Sequence, residues 1–124
     1  MTNILIVEDD MMNMKLVSDI LDSLDLNVHK ATDGFEALKM VDKDHYDMII
    51  MDIELPVMDG IETTRKIKAI PRNNKIPIIA LTAFAMKGDR EKFLDLGFDH
   101  YMSKPIHVTD FINLINEILE KESK

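Results

Sequence analysis

With 124 residues, 46% hydrophobic and 31% charged, the chain has room for one core and not for two. Zero cysteines exclude disulfides and thiolate chemistry; no apolar run nears the roughly 20 residues that span a bilayer, and no signal peptide opens the chain, so a cytoplasmic protein away from the membrane is expected. A net charge of -8 argues against a nucleic-acid surface and leaves proteins and small ions as the expected partners.

Strand-like and helical segments alternate five times. Ile4 to Val7 is a short, β-branched apolar run, and Met14, Val17, Ile20, Leu21 and Leu24 then recur at helical spacing. Leu26 to Ala31 holds a weaker strand. In "TDGFEALKMV", Asp33 and Glu36 stand like a capping box, with Phe35, Leu38 and Val41 expected on one helical face. Met48 to Met51 reads as the third strand and Gly60 to Ile70 as the third helix, with Ile61, Thr64, Ile67 and Ile70 inward. Pro77 confines the fourth strand of "IPIIALTA" to a start near Ile78. Met86 to Leu96 reads as a helix that Gly97 ends in a left-handed cap. Phe98 to Met102 is a fifth strand, and Val108 to Glu120 a last helix with Phe111, Leu114, Ile115, Ile118 and Leu119 inward. Five βα units predict an α/β fold, a doubly wound, flavodoxin-like (βα)5 domain with parallel strand order 2-1-3-4-5.

The polar residues stand at the strand ends. The first strand finishes in Glu8-Asp9-Asp10, the third in Asp52, the fourth in Thr82 and the fifth in Ser103-Lys104. In a parallel sheet these ends share one rim, and the stated order makes the first and third strands neighbours. Clustered carboxylates require a cation or raised pKa values. With no His or Cys beside them, Mg2+ is the expected ion. Lys104 adds a positive charge and Thr82 a donor, so the rim is built to receive a phosphoryl group on Asp52. Of Asp9 and Asp10, one is expected to cap the first helix while the other binds metal.

"LIVEDD", "MDIELPVMDG", "ALTA" and "YMSKP" resemble the signature of two-component response-regulator receiver domains, over essentially the whole chain and nearest to the single-domain members. The resemblance implies a receiver over residues 1–124 with no output domain. It implies Asp52 as phosphoacceptor, Glu8 and Asp9 as the acidic pair on Mg2+, and the Glu54 backbone carbonyl completing the metal shell. It further implies Thr82 as the phosphate-sensing hydroxyl, Lys104 as the site lysine and Tyr101 as the aromatic switch, with a cis bond at Lys104-Pro105. The implied donor is a phosphohistidine of a sensor kinase or phosphotransfer protein. The chain then catalyses only its own phosphorylation and dephosphorylation and is not otherwise an enzyme. Its output is a protein contact, or onward transfer of the phosphoryl group.

Further expectations concern surfaces. Met11, Asn13, Met14, Pro105 and Ile106 are placed on the donor-docking face. Lys87, Arg90, Phe93, Tyr101, Val108 and Phe111 are placed on the output face. Met14, Met48, Met51 and Met86 are expected in or near the core, and the four histidines on the surface. Glu54 and Phe84 flank the path of a hydrolytic water, and an apolar Phe84 predicts slow self-dephosphorylation. Two rivals stand beside this reading. A phosphohydrolase of the haloacid-dehalogenase type needs a second Asp where Glu54 stands, on the first strand. A pseudo-receiver would lack part of the Glu8, Asp9, Asp52, Thr82 and Lys104 set.

Overall fold

The computed structural model describes residues 2–84, 86 and 88–122. The strands are β1 (Asn3–Val7), β2 (Asn27–Ala31), β3 (Met48–Asp52), β4 (Ile78–Thr82) and β5 (His100–Ser103); the central β1, β3 and β4 are the apolar runs, and the edge strands β2 and β5 are mixed. The helices are α1 (Met11–Ser23), α2 (Gly34–Lys43), α3 (Gly60–Lys68), α4 (Asp89–Asp95) and α5 (Val108–Glu122). All strand pairs are parallel, in the order β2-β1-β3-β4-β5 that the connection rules predict. Register keeps the carboxyl ends level: Val7 pairs with Met51, Asp52 with Leu81 and Thr82 with Ser103.

Alternate strand residues face opposite ways, so the buried strands feed two cores. Leu5, Val7, Ile49, Met51, Ile78 and Ala80 pack toward Ala37, Val41, Ile67 and Phe93, beneath α2, α3 and α4. Ile4, Ile6, Met48, Ile50, Ile79 and Leu81 pack toward Val17, Leu21, Phe111 and Ile115, beneath α1 and α5.

Helix starts follow local chemistry. Asp10, Asp33 and Asp59 are N-caps, accepting from the backbone N–H of Met12, Glu36 and Glu62. The reciprocal bond at α2 runs from the Thr32 N–H to Glu36, one residue earlier than in a strict capping box. Gly97 adopts the expected left-handed conformation, with φ of 102°.

Several expectations are corrected. Phe35 is 53% exposed, because Gly34 and Ala37 are the residues that turn inward on α2. A Cβ on Gly34 would lie 2.3 Å from Thr63 Oγ1, so only a small residue lets α2 approach α3. α4 begins at Asp89 rather than Met86, since Gly88 sits at its N-cap with φ of 94°. Met86 is consequently 72% exposed on the rim and not in the core. Met14, Met48 and Met51 are buried as expected, while Met11 and Met12 face solvent.

Candidate functional site at the strand ends

Four of the five strand ends, those of β1, β3, β4 and β5, deliver polar groups to the site. Glu8 follows β1, Asp52 closes β3 and Thr82 closes β4, all three at most 2% exposed. Carboxylate oxygens of Glu8, Asp9 and Asp52 lie within 4.8 Å of one another, with Asp9 on the solvent side. Lys104, after β5, brings its Nζ to 3.0 Å from Glu8 Oε1 and 3.1 Å from Asp52 Oδ1. Its peptide bond to Pro105 is cis, as the resemblance implies. Asp10 is the acid that caps α1, and Asp9 is the one that joins the acidic cluster.

Burial pushes the Glu8 carboxyl up to about 7, and the adjoining Asp52 adds to the rise; the Asp10 backbone N–H and Lys104 pull the other way. Burial also works against the Lys104 charge, but its contacts with Glu8 and then Asp52 outweigh that and hold the ammonium above the ordinary lysine value.

The donor set fits a hard cation. Glu8 Oε2 accepts the Asp10 N–H at 3.1 Å, whereas the buried Glu8 Oε1 forms no directed hydrogen bond. Three carboxylates set against a single ammonium, with no nitrogen or sulfur ligand in the cluster, are the chemistry of an oxygen-seeking divalent ion.

Glu54 carries the feature that sequence reasoning missed. Its backbone N–H donates to Asp52 Oδ1 at 3.1 Å, which steadies the carboxylate. Its side chain crosses to β4, where Oε2 accepts the Thr82 hydroxyl at 2.7 Å and Oε1 accepts the Ala83 N–H at 2.8 Å. The sequence signal for this bridge is thin: an acid two residues past a strand-end Asp, on the rim shared with Thr82. Gly60 is the other missed element. Its N–H donates to the Ile53 carbonyl at 2.9 Å, and a Cβ there would lie 2.1 Å from the Asp52 carbonyl oxygen.

The expected surfaces hold only in part. Met11 and Pro105 are exposed and Asn13 and Ile106 half-buried, but Met14 is core because it lies on the sheet-facing side of α1. On the other side Arg90 and Val108 are exposed, while Phe93 and Phe111 are core residues of opposite sheet faces. Lys87 lies outside the described residues. Tyr101 is half-buried, its ring 5.4 Å from that of Phe93. Phe84 is 73% exposed. Two histidines are less exposed than expected: His100 is half-buried, and so is His29, whose ring meets the buried Tyr46 edge-on.

Among the described residues, no helix is long and apolar enough to cross a membrane. The family model of the response regulator receiver domain matches residues 4–116. The polar-differentiation response regulator DivK of Brucella ovis is 42% identical over 117 residues, covering 94% of this chain and 95% of that one. The receiver domain of a sensor histidine kinase from Pseudomonas aeruginosa PAO1, solved with a magnesium ion coordinated in its active-site cleft, is 37% identical with a TM-score of 0.87. That match covers 96% of this chain and 98% of the other. The chemotaxis protein CheY4 of Vibrio cholerae is 26% identical with a TM-score of 0.88, over 95% and 98% of the two chains. The five-stranded βα fold is thus shared along nearly the whole length, and this chain belongs to the receiver-domain family of two-component response regulators.

Proposed function

We propose that this response regulator takes a phosphoryl group from a phosphohistidine, on a sensor histidine kinase or a histidine phosphotransfer protein, onto Asp52. The observation that carries the reading is the buried Asp52 at the end of β3, held between the acids Glu8 and Asp9 and the Lys104 ammonium. The Asp52 carboxylate oxygen attacks phosphorus, the P–N bond breaks, and its electron pair stays on the imidazole. The product is an acyl phosphate. Lys104 neutralises equatorial oxygen charge, and the rigid strand end supplies position. Glu8, Asp9, Asp52 and the Glu54 backbone carbonyl are the residues to hold Mg2+, which neutralises phosphoryl charge when bound.

Water later attacks the acyl phosphate and returns Asp52. Glu54 and Phe84 flank that approach, and Phe84 has no group to orient the water. The phosphorylated state is read through Thr82 and Tyr101 on the face of α4, β5 and α5, which contacts a downstream signalling protein. Met11, Asn13, Pro105 and Ile106 dock the phosphodonor; their position beside the rim supports this. Residues 1–124 act as one receiver unit, in the cytoplasm and without nucleic acid. The unit catalyses no reaction beyond its own phosphorylation and dephosphorylation.

Incubation with acetyl phosphate and Mg2+, followed by intact-mass measurement, tests the reading. A gain of one phosphoryl group is expected, and its absence in Asp52→Asn. No gain in the parent chain would favour a silent interaction module.

A further inference from the structure

We infer that the Glu54 side chain is a positioning residue that keeps the phosphoryl-binding donors of β4 occupied until a phosphoryl group displaces it. The inference rests on the phosphotransfer reading above. Glu54 starts at the end of β3 and ends on β4, with one carboxylate oxygen on the Thr82 hydroxyl and the other on the Ala83 N–H. The Thr82 oxygen itself accepts the Phe84 N–H at 3.1 Å, so its single proton is committed to Glu54.

A phosphoryl group on Asp52 presents what this carboxylate presents, an anion with several acceptor oxygens and no donor. The Thr82 hydroxyl has one proton to give and the Ala83 amide has one. The carboxylate and the phosphoryl oxygens therefore compete for the same two donors, and their like charges oppose sharing the space. Glu54 has somewhere to go, because it is only half-buried whereas Thr82 is buried. The binding-competent form is the one with Glu54 swung away, so the population of that form scales the apparent affinity for any phosphoryl-like anion. The proposed metal ligand is the backbone carbonyl of Glu54, which separates metal binding from this side-chain role.

The test is titration with beryllofluoride, a non-covalent phosphoryl analogue, on protein saturated with Mg2+. Glu54→Ala is expected to bind about tenfold tighter than the parent, the equivalent of one charge-assisted hydrogen bond no longer to be broken. Glu54→Gln keeps the shape and one acceptor oxygen without the charge, and falls between the two. The rate of mass gain from acetyl phosphate follows the same order as the Asp52 oxygen bonds to phosphorus and acetate leaves with its electron pair. A merely structural role would lower the melting temperature without ordering the three dissociation constants. Binding in both folded variants that is equal to or weaker than in the parent overturns the inference. If the parent gains no phosphoryl group, the phosphotransfer reading falls and takes this one with it. If the parent gains it and the variants are no faster, the role of Glu54 alone falls.

Discussion

Glu8 is the residue whose chemistry is set most by its surroundings. Its carboxyl is pushed up to about 7, from a free value of 4.5, by burial and then by Asp52. In metal-free protein it therefore holds a proton below neutrality, and a divalent ion must expel that proton to bind. Mg2+ affinity is expected to fall about tenfold per pH unit below about 7 and to level off above it, as titration calorimetry at several pH values would show. Stability moves the opposite way. Because the folded state binds this proton more tightly than the unfolded chain, the contribution of Glu8 is full below 4.5 and is lost as pH rises through 7. The melting temperature of chelator-treated protein, compared with that of Glu8→Gln, should decline across this window, and added Mg2+ should restore more at pH 8 than at pH 5.5. Phe84 bears on a different step. Replacing this exposed ring by a polar residue should speed loss of the phosphoryl group several-fold in a time course of intact mass, by giving the incoming water an orienting partner.

At the scale of elements, the loop from Ile53 to Asp59 is held by contrasting features. Val57 has φ of 68°, a left-handed conformation that a β-branched residue rarely adopts, and it is 96% exposed. Val57→Asn relieves this without losing packing and should raise stability by about 1 kcal/mol in chemical denaturation. Gly60 is the reverse case, for its missing Cβ makes room for the Asp52 carbonyl. Gly60→Ala should cost about 2–3 kcal/mol and slow phosphorylation of Asp52 by displacing the strand end. The elements themselves were legible in the sequence because Ile4 to Val7, Met48 to Met51 and Ile78 to Leu81 are short apolar runs between helical stripes. The strand-end polar residues were legible for a related reason, since Glu8, Asp52 and Thr82 interrupt these runs. What stayed hidden depends on small residues and side-chain reach. Gly34 and Ala37, not Phe35, mark the inner face of α2, and nothing in linear spacing says that Glu54 crosses to Thr82. Met86 was misplaced because its apolar character outweighed the helix-breaking Gly88 two residues on.

In the whole molecule, one sheet separates two cores, and the rim residues sit where both end. The Tyr101 ring on β5 lies against Phe93 of the core under α4, and β5 pairs directly with β4, which supports the proposed route from Thr82 to the output face. Amide chemical shifts recorded with and without beryllofluoride should change most over α4, β5 and α5, and little over α2. Equal changes at the β2 and β5 edges of the sheet would count against that output face.

The close approach of Gly60 to the Asp52 carbonyl gives the signal a direction. The loop after Asp52 closes on itself through the Gly60 to Ile53 bond, with backbone against backbone and no side chain free to yield. Across the rim, Asp52 pairs with Leu81 through the backbone ladder, whereas the donors of Thr82 and Ala83 are held by the Glu54 carboxylate, whose side-chain bonds exchange partners without moving a strand. One flank of Asp52 is closed by backbone and the other carries an exchangeable side chain, so under the phosphotransfer proposed above the rearrangement falls to Glu54 and the donors it holds rather than to the start of α3.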